Sequence, residues 1–333
     1  MRGKSLPINV WIITVLWFSL AVPNAGASCG SANCFLVTGT QEGISVPGQM
    51  TIDISHRYIP MDKFHRGSSN ANEAVVPKVD FENRIIIPDH HREVRTINEL
   101  LQIDVGYGIT DKLTVQVAIP LKNDRSHEHF DEVGGPGEFF TREDGSSGLG
   151  DIRVIAKYAP VVLTRHLVVM GGGLKFPSGE YKLHDSLGKI NEPTIMPGSG
   201  SYDFLFSAFY DYQIVPHSLD AFFSGSYQLT TENDLDYEFG NQILLNAGIG
   251  YLLTEKVSVS GQVNLREAKR DKFIGGGVSS TGGTWVNITP GIRVQASDNL
   301  GLYTFLQIPV FQYVNDVNLV SRFGLALGAS YTF

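Results

Sequence analysis

The chain has 333 residues, of which 42% are hydrophobic and 18% charged, and its formal net charge is −8. That length fits one large or two ordinary domains, and the acidic balance excludes a nucleic-acid binder that works by charge. A helical membrane protein would carry several apolar runs of about 20 residues; only one long apolar segment is present, Ile8 to Val22.

Arg2 and Lys4 precede that segment and Ala25-Gly26-Ala27 follows it. A basic start, an apolar middle and a small-x-small site predict a cleaved signal peptide over residues 1–27. The segment also contains Asn9 and Thr14 and is short for a membrane anchor. Cleavage removes Trp11 and Trp17, leaving Trp285 as the only tryptophan, and takes the net charge from −8 to −10 through loss of Arg2 and Lys4. Residues 28–47 then form a periplasmic N-terminal segment carrying Cys29 and Cys34. An oxidising compartment favours a disulfide between them. Lipid attachment at Cys29 is the weaker alternative, because Gly26-Ala27-Ser28 lacks an aliphatic residue three positions before the cysteine.

From residue 48 to 333 the pattern is period-2 alternation of apolar with small or polar residues, as in strands with two different faces. Leu113, Val115, Val117, Ile119 and Leu121 alternate with Thr114, Gln116, Ala118 and Pro120, and the same pattern recurs down the chain. It predicts twelve strands, at 48–59, 94–108, 112–122, 149–159, 166–176, 200–214, 218–230, 239–253, 256–268, 284–297, 299–313 and 321–333. Short connections alternate with long ones at 60–93, 123–148, 177–199, 231–238, 269–283 and 314–320. An even strand number with tight turns at one end and long loops at the other predicts an all-β fold: a transmembrane antiparallel up-and-down β-barrel.

A soluble β-sandwich also alternates, but its strands are shorter and its inner face is a dry core. Here the non-apolar face carries Arg153, Lys157, Lys175, Asp203, Asp211, Asp220, Arg266, Arg293 and Arg322. Such charges are costly in a core and are expected to line a watered lumen. Tyr158, Phe176, Tyr212, Tyr227, Tyr251, Trp285, Tyr313 and Tyr331 lie at strand ends and suit the aromatic girdles of the lipid interface. The chain closes on Ser330-Tyr331-Thr332-Phe333, which resembles the terminal signal read by barrel-assembly machinery.

Four segments stand out at strand ends: Leu149-Gly150-Asp151-Ile152-Arg153, Gly173-Leu174-Lys175-Phe176-Pro177-Ser178-Gly179, Pro197-Gly198-Ser199-Gly200-Ser201-Tyr202-Asp203, and the stretch from Phe305 to Asn315. In their order and spacing they resemble the MetA-pathway of phenol degradation family of outer-membrane transporters. The resemblance implies a barrel associated with uptake of aromatic or other small compounds, and it carries over no functional residue.

Histidine placement is the unusual chemical feature. His56, His65, His90, His91, His127 and His129 all precede residue 130. Keeping both apolar rows of the 94–108/112–122 hairpin on one face favours pairing Tyr107 with Leu113 and Val105 with Val115. That register sets His91 opposite His129 and Glu93 opposite His127; shifted by two residues, it sets Glu93 opposite His129. Either way His90, His91, Glu93, His127 and His129 meet at the extracellular end of one hairpin, near Asp89, Glu128 and Asp131. Imidazole with carboxylate suits a divalent metal such as zinc, copper or nickel, while a solvated polar loop is the plainer reading. No resident cofactor is otherwise expected.

An enzyme is not expected. His166 and His217 fall at tight turns, Ser126 and His127 are sequence neighbours on opposite faces, and Glu93 with His127 lacks a nucleophile. Gly171-Gly172-Gly173 and Gly275-Gly276-Gly277 lack the helix and Lys-Ser/Thr pair of a phosphate loop. The leading expectation is a passive channel for small solutes, aromatic compounds or organic acids among them, with outer-membrane lipid as its surroundings. A metal-binding surface protein and a non-conducting structural barrel are the alternatives.

Overall fold

A computed structural model describes residues 43–333; the signal peptide and the Cys29–Cys34 pair lie outside the described residues. Twelve long antiparallel strands follow one another around a closed barrel: β1 (Met50–Gly67), β2 (Ile85–Gly108), β3 (Leu113–Asp131), β4 (Arg153–Val162), β5 (His166–Lys175), β6 (Asp203–Val215), β7 (Leu219–Leu229), β8 (Gln242–Thr254), β9 (Val257–Ala268), β10 (Gly283–Gln295), β11 (Leu300–Ser321) and β12 (Gly324–Thr332). Closure comes from β1, which pairs with β2 on one side and with β12 on the other, Ile54 opposing both Ile103 and Ala329. Every strand is thereby paired on both sides, the condition for placing strands in lipid.

The two faces are chemically distinct. Outward side chains are apolar and exposed, such as Tyr107, Met170, Phe206, Phe223, Ile249, Val263, Ile288 and Leu327. Inward ones are buried and polar, such as Asp53, Gln102, Asp104, Ser224, Asn246, Gln262, Asn264 and Thr289. They interlock in a hydrogen-bonded lattice: Asn264 Nδ2 donates to Asn246 Oδ1 at 2.8 Å, Asn246 Nδ2 to Ser224 Oγ at 3.0 Å and Thr289 Oγ1 to Asn264 Oδ1 at 2.5 Å. The tight turns and both described chain ends share one rim, the periplasmic end by the usual asymmetry of such barrels.

All twelve expected strands are present, and several run farther than the alternation predicts. β1, β2 and β3 rise above the lipid as a ribbon, which the short strand Val75–Asp80 joins through β2. Much of the expected loops 60–93 and 123–148 is therefore sheet. The expected loop 314–320 is also mostly ribbon. β11 runs antiparallel to β12 at Leu300–Gln307 and to β1 at Val317–Ser321, so the chain reverses inside it, at the left-handed residue Asp316 (φ 52°).

The β2–β3 register differs from the favoured expectation by two residues. Tyr107 pairs with Val115 and Val105 with Val117. Pairing Tyr107 with Leu113 would centre the hairpin loop on Thr110, whereas the observed register centres it on Asp111, with Ile109 N donating to Leu113 O at 2.8 Å. The observed register accommodates a four-residue turn in which Leu113 N donates to Thr110 O at 3.4 Å. A two-residue shift keeps both rows on the same face, so hydrophobic patterning cannot distinguish the two registers.

Candidate functional site: a loop rooted in the lumen under a histidine cluster

The connection between β5 and β6 folds into the extracellular half of the barrel. Its root is built from the three glycine-rich segments that carry the family resemblance. Asp151, just before β4, accepts from Gly179 N at 3.1 Å, Ser199 N at 2.9 Å and Ser199 Oγ at 2.7 Å, and pairs with Lys175 at 3.1 Å. Ser178 Oγ donates to Gly150 O at 3.1 Å and accepts from Ile152 N at 2.8 Å. The two legs of the loop cross where Gly198 N donates to Glu180 O at 2.9 Å, an approach that only glycine permits.

From this root the tip reaches across to β3 and the strand-like segment that follows it. Asn123 Nδ2 donates to Pro197 O at 2.6 Å, Asn191 Nδ2 to Asp144 O at 2.7 Å and Ser146 Oγ to Ile195 O. Ile195 and Met196 are buried inside the barrel. Pro193 and Thr194 line two cavities, one on each side of the tip.

The cavity nearer the barrel centre, about 100 Å³, is lined by Arg125, Arg153, Lys175 and Arg266 with Asp151, Asp203 and Asp271. Lys175 lies 2.6 Å from Asp203, Arg153 donates to Gln102 Oε1 at 3.1 Å, and Arg266 donates to Gln242 Oε1 at 3.1 Å. Farther toward the periplasm, Asp211, Asp220 and Arg293 line a chamber of about 440 Å³, and Lys157 lines another of about 250 Å³ beside residues 43–46. Eight of the nine expected lumen charges therefore face inward.

Arg322 does not. It lies at a ribbon irregularity, its guanidinium exposed and joined to Asp62 at 2.6 and 3.1 Å. The alternation is interrupted there, because the β1–β11 register slips between Met61 and Lys63. Trp285 likewise belongs to no girdle: it is 3% exposed and points inward, with the Arg266 guanidinium 4.7 Å from its ring. Arg125 and Asp151, absent from the expected set, carry no alternation signal, since they follow a bulge and precede a strand.

Above the loop tip lies the histidine cluster, which depends on two bulges. On β3 the outward row is odd-numbered from Leu113 to Leu121, and on β2 it is odd-numbered from Leu101 to Tyr107. In uninterrupted strands the odd-numbered His127, His129, His91 and Glu93 would also face outward. The register slips at Leu121 on β3 and again at Val94 on β2. Past these points odd residues turn inward, and His91, Glu93, His127 and His129 are 1, 7, 2 and 5% exposed. Outward neighbours at this height are Arg95, Ser126 and Glu128, so the cluster stands above the lipid band.

Glu93 pairs in register with His129, and Thr96 with His127, replacing the favoured pairs His91–His129 and Glu93–His127. The side chains converge nonetheless. Ring centroids of His127 and His129 are 4.6 Å apart, and those of His91 and His129 are 5.0 Å apart. Glu192 from the loop tip brings Oε1 to 2.5 Å from His91 Nε2. His90 turns to Asp131 at 2.9 Å, His65 reaches Gln312 O at 3.2 Å on another part of the rim, and His56 faces outward on β1. Burial disfavours charge throughout the cluster. It holds His127 and His129 below, and Glu93 above, their ordinary ranges. Burial acts in the same sense on His91 and Glu192, but their mutual attraction outweighs it, raising His91 and lowering Glu192.

The sequence profile described as "Putative MetA-pathway of phenol degradation" matches residues 91–310. No curated protein matches the chain. Among solved structures, an outer membrane channel from Pseudomonas putida F1 is similar with a TM-score of 0.63 at 13% identity, over 90% of this chain and 100% of that one. The P. putida toluene transporter TodX gives a TM-score of 0.43 at 10% identity, over 87% and 93% of the two chains. A Pseudomonas aeruginosa FadL homologue gives 0.41 at 10% identity, over 86% and 90%. The first of these shares the barrel fold.

Proposed function

The chain belongs to the MetA-pathway of phenol degradation family, and from that premise we propose that it is a passive outer-membrane channel for small solutes, organic acids and aromatic carboxylates foremost. The observation that carries the reading is the central cavity, where four cations, Arg125, Arg153, Lys175 and Arg266, face three carboxylates around the inserted loop. Fixed charges projecting into a narrow wet path select by sign and size without binding tightly. The slight excess of positive charge favours anions, and the planar guanidinium groups suit carboxylates.

No nucleotide motif is present in the sequence, so solute would move down its own gradient. The experiment is planar-bilayer recording of the refolded, full mature chain, paired with a liposome-swelling series of benzoate, phenol, succinate and glucose. Discrete conductance steps with benzoate and succinate entering faster than glucose support the proposal. A silent bilayer together with unswollen liposomes rejects it.

A further inference from the structure

We infer that His91, Glu93, His127 and His129 on the barrel wall, together with Glu192 from the inserted loop, form a divalent transition-metal site that fastens the loop tip to the wall. The donor atoms of His91, Glu93 and Glu192 lie within 4.8 Å of one another. His91 Nε2 stands 2.5 Å from Glu192 Oε1 and 4.0 Å from Glu93 Oε1. Tetrahedral zinc with bonds of about 2.0–2.1 Å holds neighbouring donors roughly 3.3 Å apart. Shifts of an ångström or so in side chains therefore bring His91, Glu93 and Glu192 to ligating distances, and the rings of His129 and His127 stand beside them, the His91–His129 and His127–His129 centroids 5.0 and 4.6 Å apart.

The hydrogen bonding points the same way. Among the described residues, Glu93 Oε2, His127 Nε2 and His129 Nδ1 are buried without a hydrogen-bond partner, and His91 Nε2 is not aligned for one despite its closeness to Glu192. Unpartnered buried polar atoms are rare and destabilising. The other nitrogen of each ring is held. His127 Nδ1 contacts Thr96 Oγ1 at 2.9 Å, His129 Nε2 lies 3.4 Å from Asp144 Oδ2, and His91 Nδ1 meets His90 Nδ1 at 3.4 Å. One nitrogen oriented by a neighbour and the other left for the ion is how metal-ligating histidines are arranged.

A cavity of about 60 Å³, lined by Glu93, Thr96, His127 and Glu192, adjoins the cluster and has room for an ion with one or two waters. Three neutral imidazoles and two carboxylates balance a dication. The mixed nitrogen and oxygen set, without thiolate, favours zinc, copper(II) or nickel over magnesium or calcium.

The test is a cobalt(II) titration of the EDTA-treated, detergent-folded protein, read by visible absorption and followed by zinc displacement. The expected result is one equivalent of cobalt with the visible bands of a low-coordinate site, lost on adding zinc. Affinity should fall by about 100-fold or more in Glu192→Gln and in His127→Ala, and by about 10-fold or more in Thr96→Val, which removes only the hydroxyl that orients the far nitrogen of His127. His56→Ala, on the outward face of β1, should bind as the parent does. Absence of cobalt bands in the parent, or equal affinity in parent, Glu192→Gln and His127→Ala, overturns the inference. Glu192 lies on a loop outside the barrel strands, so its variant remains informative if a strand variant fails to fold. The readout is independent of whether the barrel conducts.

Discussion

Gly179 and Gly198 meet backbone to backbone: a β-carbon on Gly198 would lie 2.4 Å from the carbonyl carbon of Gly179, and one on Gly179 would lie 2.7 Å from the α-carbon of Gly198. The opposing atoms are main chain and cannot rotate away. Gly198→Ala should therefore separate the two legs of the inserted loop, at a local cost of about 1–3 kcal/mol. The expected outcome is faster tryptic cleavage at Lys182 and Lys189, with barrel integrity preserved as judged by heat-dependent gel mobility. Unchanged cleavage kinetics would contradict the picture of a glycine-locked root.

Asp151 is the second element of that root. In Asp151→Asn the bonds from Gly179 N and Ser199 survive only in part, and Lys175 keeps Asp203 as its single close carboxylate. Losing a charged acceptor in a buried network costs roughly 1–3 kcal/mol. The variant should fold, yet show larger and noisier conductance than the parent in bilayer recordings. A trace indistinguishable from the parent would mean that the loop does not limit the path.

Charge reversal in the central cavity tests the sign of the filter. Arg153→Glu and Arg266→Glu each replace an inward cation that lines it. In a KCl gradient the reversal potential should move toward cation preference in each, and farther in the double variant. If the three potentials coincide with the parent's, these side chains do not set selectivity.

Asp271 supplies a pH dependence in the extracellular loops. It is buried, accepts from Tyr237 Oη at 2.7 Å and Gly240 N at 2.8 Å, and burial raises its carboxyl from 3.8 to about 6. A folded value above the unfolded one means that the native state holds the proton longer. The stabilisation is complete below about pH 4 and is lost as pH climbs through 6, on the order of 3 kcal/mol in total. Amide exchange in residues 231–240 and 270–282 should accelerate between pH 5 and 7.5 beyond the intrinsic rate, and Asp271→Asn should remove that excess. An excess that persists in Asp271→Asn would assign the effect elsewhere.

The barrel was legible because lipid on one side and water on the other impose opposite demands on alternate residues, as Ile243, Leu245 and Ala247 against Gln242 and Asn246 illustrate. What stayed hidden has a common cause: alternation reports the face of a residue and says nothing of its neighbour. A two-residue slide at Tyr107 changes every partner and no face. The slip at Leu121 shows in sequence only as an apolar row giving way to Asn123, Arg125, His127 and His129 at the same odd positions. The meeting of His91, Glu93, His127 and His129 was predictable because any parity-preserving register gathers them. Glu192 was not, because a loop returning through the lumen leaves no periodic trace. The segments around Asp151, Gly179 and Gly198 could be recognised as motifs, but their mutual contact is a property of the closed barrel.

The slips at Leu121 and Val94 behave like two compensating frameshifts. Between them the hairpin is read out of frame, and beyond them the original frame returns with its inside and outside exchanged. Deleting Leu121 and Val94 would restore a continuous ladder and leave all four cluster residues facing inward, because each slip is one surplus residue, whereas straightening either strand with that residue retained would turn its part of the cluster outward. The upper ribbon is thus a detachable reading of the same two strands. Its contents can be rewritten without disturbing the lipid-facing half, provided that both slips are kept.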